Sequence, residues 1–473
     1  MGSEMCIRDR PKPACPAAGP YNLLGSTLFD LLMSKPGTPD NPEKSPRKGS
    51  RKKSRLADGT PWPNYRSPHR RRADREAHAE GGGAKLPPVI DHPLVVQGPP
   101  AMVHTPEALA ELVEKLRGEP RFGFDTEFIG EESFYLRFCV VQVSTPDGLT
   151  LIDALAPGMD LLPFWELVAD PSIEKIVHAG LQDLEPVARL TGRPPAAVYD
   201  TQIAAAFMGK MYPISLKNLC LEALEADLGT SGKFSQWDRR PLTPLQQGYA
   251  ANDVRYLLLL RQHVGDELEQ RGHTEKAAVE CTQFADPDTY RIDPLTMKLK
   301  AKGRTGGKRS EQAVINALLL WRAEAARERD LPMRVLLDDQ TLVDLSQRPV
   351  NSVDDVQKFK GMPWPVKEAY AQDLVDATAA ALAGPMPPRA PRYKPLSEEG
   401  AAQLASVWSA AQAACAEAEI AATLVMNKRE ITELVRARDR NHPAPINRLA
   451  AGWRRALLEP VLGDLLPGQC AEG

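Results

Sequence analysis

Phe124-Asp125-Thr126-Glu127 closes a strand-like run that begins at Arg121, and Tyr249-Ala250-Ala251-Asn252-Asp253 lies within a long helical stretch. Side chains alternate along a strand, so Asp125 and Glu127 share a face. The i, i+4 spacing sets Tyr249 and Asp253 on one side of a helix. Adjacent carboxylates repel unless a cation neutralises them, and oxygen-only ligands select hard ions such as Mg²⁺ or Mn²⁺. A third acid, Asp183, falls in the first turn of the helix after the run ending at His178. Each residue also has an ordinary reading. Asp183 is favourable charge at a helix N-terminus, Tyr249 is a core aromatic and Asp253 a surface acid. All of these would have to hold at once for the arrangement to be incidental.

Around these residues the text alternates between strand and helix. Strand-like runs lie at Arg121 to Glu127, Phe138 to Ser144, Leu149 to Asp153, Lys175 to His178 and Val198 to Asp200. The fold is expected to begin at His104, where Thr105 reads as an N-cap, Pro106 fits the first turn, and Leu109, Leu112, Val113 and Leu116 recur at helical spacing. Further helices are expected at 161–169, 181–191, 201–208, 215–225 and 243–271. The pattern predicts an α/β domain.

Three neighbouring features invite chemical readings. His178, before Ala179-Gly180, reads as a structural hydrogen-bonding residue rather than a base. Asp200 precedes a helix and reads as its N-cap. Ser235, Trp237 and Arg240 sit in a polar loop, where Trp237 could stack a base and Arg240 meet a phosphate, or both could anchor the loop.

The 473 residues suffice for several domains. The net charge of -3 conceals an asymmetry: between Arg47 and Arg75 stand eleven Lys or Arg against two Asp, a local +9. Residues 1–95, rich in Pro, Gly, Ser and Arg, are expected to be a disordered arm, either solvated or attracting a polyanion. Seven cysteines without a C-x-x-C pair argue against a disulfide framework and indicate a reducing compartment. The apolar stretch Tyr21 to Met33 contains Asn22, Ser26, Thr27 and Asp30 and is too short to span a membrane. A cytoplasmic protein without membrane attachment or an evident obligate protein partner is expected.

Beyond the α/β domain, Met297 to Arg309 is basic and Gly-containing, a linker by composition. Helical text follows. Ser310 reads as an N-cap, with Val314, Leu318, Trp321 and Ala325 on one face, and further units at 339–346, 353–359 and 365–382. After the Pro-rich break Gly384 to Pro395 comes a second block at 397–466, marked by Trp408, Ile420, Leu424, Ile431, Leu434, Leu449 and Trp453.

Asp-x-Glu, Asp and Tyr-x-x-x-Asp in this order resemble the DEDDy exonucleases. The flanking text narrows the likeness to ribonuclease D: His178-Ala179, Asp183-Leu184-Glu185, Tyr199-Asp200-Thr201-Gln202-Ile203-Ala204-Ala205, and Ser235-x-Trp237-x-x-Arg240-Pro241-Leu242. The helical blocks resemble tandem HRDC domains, through Trp321-Arg322 and Asp330-Leu331-Pro332 in the first and Gly452-Trp453-Arg454 in the second. The resemblance departs at Gly130-Glu131-Glu132-Ser133, where the family carries basic, Thr-rich text. It implies an RNase H-like domain at 96–290 with a mixed five-stranded sheet, a linker at 291–309, and HRDC-like domains at 310–384 and 396–467. It further implies a 3′-5′ exoribonuclease that releases nucleoside 5′-monophosphates and trims transfer RNA precursors with two divalent cations, Mg²⁺ or Mn²⁺. Asp125 would bridge the ions, Glu127 and Asp253 complete one site, Asp183 help hold the second ion, and Tyr249 orient the attacking water. A DNA 3′-5′ exonuclease and a non-catalytic nucleic-acid binding protein are the alternative readings.

Overall fold

The computed structural model describes residues 87–130, 132–229, 236–301, 307–388, 395–443, 445 and 447–467. The basic arm, Glu131, Ser235 and parts of the linker and the Pro-rich break lie outside the described residues. The chain forms two compact units: residues 293–388, and residues 87–292 together with 395–467.

The larger unit is built on a sheet of six strands: β1 (Ala101–Val103), β2 (Arg121–Ile129), β3 (Arg137–Thr145), β4 (Gly148–Asp153), β5 (Glu174–Val177) and β6 (Val198–Asp200). Their order is β1-β4-β3-β2-β5-β6. β3 runs antiparallel to β2 and β4, and the other pairings are parallel. The expected count of five is corrected by β1, a three-residue edge strand too short to show alternation. The helix after it, α1 (Pro106–Arg117), starts as its sequence predicts: the Thr105 side chain accepts from the Ala108 N–H.

Helices cover both faces. On one, Phe122 and Phe124 of β2 pack against Phe164 of α2 (Leu162–Val168), and α3 (Leu181–Thr191) lies beside α2. The other face carries α6 (Pro244–Arg255) and α7 (Leu257–Gln270). α4 (Thr201–Ala206) and α5 (Leu216–Leu224) pack against α7. The single helix expected at 243–271 is thus two, separated at the buried Tyr256. Arg255 there turns to donate to the Val96 and Gly98 carbonyls, the latter at 3.1 Å. Residues 87–95, expected in the disordered arm, are ordered. Val95 is buried with Leu219, Tyr256 and Leu260, and Val89, Ile90 and Leu94 pack beside it. This apolar run lacks any period, so nothing in its pattern distinguished it from the Pro-rich text before it.

A helix absent from the sequence reading, α8 (Thr274–Cys281), receives the second helical block. That block comprises α14 (Glu398–Glu417), α15 (Ala422–Val425), α16 (Lys428–Asp439) and α17 (Gly452–Leu462). It does not stand apart as a separate domain. Ala411, Leu424 and Leu434 belong to the same continuous core as Phe124 and Val177. Trp453 meets Phe207 edge-on at 5.1 Å, Ala421 N–H donates to Ala206 O at 2.7 Å, and Arg454 grips Glu280 with two bonds of 2.5 and 2.6 Å.

The smaller unit packs α9 (Arg309–Glu328) against α11 (Asp339–Gln347) and α13 (Trp364–Ala383), with α10 (Met333–Leu336) and α12 (Val353–Lys358) between them in sequence. Its cap is Lys308, not the expected Ser310, and Glu311 closes back onto the Lys308 N–H. Inside it, the buried Arg322 donates to Asp339 at 2.9 Å. Among the described residues no helix is long and apolar enough to cross a membrane.

Glu280 and Arg454 are about one-tenth exposed, so removing one partner leaves an uncompensated buried charge. Glu280→Gln should destabilise the larger unit by on the order of 3 kcal/mol. In urea, the second block should unfold together with the sheet; an unchanged midpoint would show that this contact does not hold the block in place.

Candidate active site

Past Gly123, β2 outruns its partner β5 and carries Asp125 and Glu127 toward α6. Gly123 permits a close approach here: a Cβ would meet Ser144 Oγ at 2.5 Å and Leu257 Cβ at 2.9 Å. Tyr249 and Asp253 arrive on α6, which begins with a complete capping box at Thr243 and Gln246. Asp183 arrives on the first turn of α3, from the opposite side of the strand. It is buried and accepts a hydrogen bond from the Thr126 hydroxyl. Thr126 was missed in the sequence, although it stands between the two acids of the Asp-x-Glu.

The electrostatics bring the four acids together. Burial, then the charges of Asp183, Asp253 and Glu127, push the Asp125 carboxyl well above the usual range. Glu127 is raised to about 9 by burial and then by Asp253 and Asp183. Asp253 is raised to about 8 by burial and Asp183. Asp183 rises only to about 6, because burial is offset by the Thr126 hydrogen bond. No Lys or Arg figures among the causes at any of the four. Burial, followed by Asp253, Glu127 and Asp125, pushes the Tyr249 phenol upward, so it is a neutral hydrogen-bond donor at physiological pH.

An all-oxygen, all-anionic donor set fits a hard divalent cation, which would supply the missing positive charge. Among the described residues no group of three or more His, Cys, Asp or Glu is drawn close enough to hold a metal ion as it stands.

The neighbouring candidates have other work. Trp237 is 4% exposed, packed with Ile129, Leu151 and Ala250, its ring 6.2 Å from that of Tyr249; it has no free face for a base. Arg240 donates to both Asp153 oxygens, at 2.7 and 2.5 Å, and to the Trp237 and Cys139 carbonyls. In this structure both anchor the loop, the second of the two roles that the sequence leaves open for them. His178 bonds to Thr201 Oγ1 and Ile214 O, at 2.9 and 3.0 Å, and burial lowers its pKa. Asp200 accepts from the Gln202 and Ile203 N–H groups and also from those of Ala179 and Gly180. In the acidic loop after β2, Tyr135 lies under the Arg189 guanidinium at 4.4 Å.

Comparison with known proteins places these features in a family context. The model of the 3′-5′ exonuclease family matches residues 100–269, and that of the HRDC domain matches residues 311–378. A protein of Gluconacetobacter diazotrophicus called ribonuclease D is 33% identical over 77% of this chain and 91% of its own length. One from Zymomonas mobilis with the same name is 30% identical over 80% and 95%. The crystal structure of Escherichia coli RNase D, titled an exoribonuclease involved in structured RNA processing, superposes with a TM-score of 0.62 at 26% identity, covering 78% of this chain and 98% of that one.

The raised carboxylates have a thermodynamic consequence in metal-free protein. The folded state keeps protons that an unfolded chain releases near pH 4, so their stabilising contribution is complete below that pH. It is lost as pH climbs through the folded values of about 6, 8 and 9. With chelator present, the melting temperature should fall between pH 5 and 9. Glu127→Gln should flatten that fall and melt above wild type at pH 9. Parallel curves for the two proteins would contradict the mutual repulsion.

Proposed function

The chain belongs to the ribonuclease D family, and we propose that it hydrolyses RNA one nucleotide at a time from the 3′ end, releasing nucleoside 5′-monophosphates. The observation that carries this reading is the set Asp125, Glu127, Asp183 and Asp253: burial raises all four, Asp183 and Asp253 add to it at Asp125 and Glu127, Asp183 adds to it at Asp253, and no Lys or Arg of the described residues is among the causes. In this reading Asp125, Glu127 and Asp253 would hold one divalent cation, Mg²⁺ or Mn²⁺, on the side of the attacking water, and Asp125 and Asp183 would hold a second. Such cations would supply a lowered pKa for the water and positive charge against the phosphate and the leaving 3′ oxygen.

The protein's own groups do the positioning. Thr126 fixes one oxygen of Asp183 by its hydroxyl hydrogen bond, leaving the other for a ligand. Tyr249 would donate a hydrogen bond to the attacking water's oxygen and so orient another of its lone pairs toward the phosphorus. It does not serve as the base, because its pKa is pushed upward. Transfer RNA precursors are the substrates this reading favours, in the cytoplasm.

DNA is the competing substrate, because the same acids can cut either polymer and the group that reads a 2′-OH is not identified. A 5′-labelled RNA incubated with Mn²⁺, beside the DNA of the same sequence, decides between them. A one-nucleotide ladder on RNA is expected; a ladder on DNA alone would replace the proposed substrate, and a ladder on neither would favour a binding protein. Asp125→Asn should bring turnover below a tenth of wild type while the fold survives.

Tyr249→Phe keeps the ring and removes the hydroxyl. A packing role predicts little change, whereas water orientation predicts a fall in kcat of roughly 10²-fold, about 2.7 kcal/mol. The measurement is kcat at saturating Mn²⁺ with the melting temperature alongside. A near-wild-type kcat would remove Tyr249 from the mechanism.

A further inference from the structure

Gln142 stands directly across the β2–β3 ladder from Asp125. Opposed residues of an antiparallel pair point to the same face, with Cβ atoms about 4.5–5.5 Å apart. Gln142 is 0% exposed. Among the described residues, neither its Oε1 nor its Nε2 has a hydrogen-bond partner. It interrupts the apolar run Val140-Val141-Gln142-Val143. Its other cross-strand neighbour, on β4, is Leu151, which packs with Val140 and Ala250. Burying an amide without a partner is destabilising, and an aliphatic side chain at this position would avoid that cost. Packing therefore does not account for a glutamine here. The polar group opposite it on the same face is the Asp125 carboxylate, which accepts at two oxygens.

We propose that Gln142 is a positioning residue of the exonuclease site, its Nε2 donating to the ionised Asp125 carboxylate and fixing the orientation in which that acid receives a divalent cation. The choice of a neutral donor follows from the charge balance. A Lys or Arg at 142 would cancel the negative charge that attracts the cation, whereas an amide orients one oxygen and leaves the charge intact. The proposal rests on the reading of the four acids given above, with Asp125 as a ligand.

The test uses the full chain with Gln142→Leu, which fills similar space without polar atoms, and Gln142→Met as an unbranched second variant should Leu fail to fold. Three quantities are compared with wild type: melting temperature in chelator, the Mn²⁺ concentration at the midpoint of metal-induced stabilisation without RNA, and kcat and KM on a short 5′-labelled RNA. The expected result is a metal-free melting temperature equal to or above wild type. The Mn²⁺ midpoint should rise 5-fold or more, and kcat should fall about 10-fold or more with KM within twofold. A variant that folds and retains both the wild-type Mn²⁺ midpoint and kcat overturns the proposal. If the wild-type protein itself cleaves no RNA, the functional reading fails, and the Mn²⁺ midpoints alone then decide the role of Gln142.

Discussion

Four carboxylates gathered around β2, Asp183 buried and the other three half-buried, with no Lys or Arg of the described residues among the causes of their raised pKa values, are the constraint on which the rest of the larger unit depends. Burial pushes all four toward the protonated form, and neighbouring acids add repulsion at Asp125, Glu127 and Asp253, while the Thr126 hydrogen bond holds Asp183 lower. Such a cluster survives only if the elements carrying it cannot separate. Those elements are β2, α3 and α6, and apolar contacts on both faces of one sheet hold them: the Phe122, Phe124 and Phe164 group on one side and Ala251, Val254 and Leu257 on the other. Hydrophobic burial is non-directional and insensitive to the charge state of the acids. It can therefore oppose the repulsion without neutralising it.

Other buried or half-buried acids are matched by cations. Asp153 has Arg240, Glu280 has Arg454, and Asp339 has both Arg322 and Arg334. Among the described residues Asp200 has no such cation, but four backbone N–H groups donate to it. The contrast separates the acids: Asp153, Glu280, Asp339 and Asp200 are satisfied by a guanidinium or by backbone N–H groups, whereas among the described residues no Lys or Arg is paired with Asp125, Glu127, Asp183 or Asp253. Arg240 shows the same rule from the cationic side. A guanidinium already forked onto Asp153 and three carbonyls would have to break some of those bonds to meet a phosphate.

Much of this was legible in the sequence because the decisive residues sit at fixed periods within regular elements. The two-residue spacing of Asp125 and Glu127 and the four-residue spacing of Tyr249 and Asp253 each specify a face. Five of the six strands and most helices followed from the same periodicities. What escaped has no period. β1 is three residues long, the Val89 to Val95 segment packs irregularly, and Tyr256 interrupts a run of residues that reads as continuous helix. Thr126 and Gln142 escaped for a different reason. Each lies within a recognised strand, and its significance comes from a partner far along the chain or across the ladder, which a one-dimensional pattern cannot display.

Chain connectivity bears on how the helical regions are to be interpreted. The sequence presents two similar helical blocks in tandem, yet residues 293–388 form their own unit while 395–467 share a core with the sheet. The first block is thus an excursion between two segments of one folded body. A C-terminal truncation that removes both blocks would strip Trp453 and Arg454 from Phe207 and Glu280. It would also expose the apolar residues of α8 and α4 that they cover. Loss of activity after such a truncation would report on core stability rather than on any binding by the helical domains. Excising residues 293–388 and joining the flanking segments leaves those contacts in place, so any effect on folded RNA can be assigned to the excised unit alone.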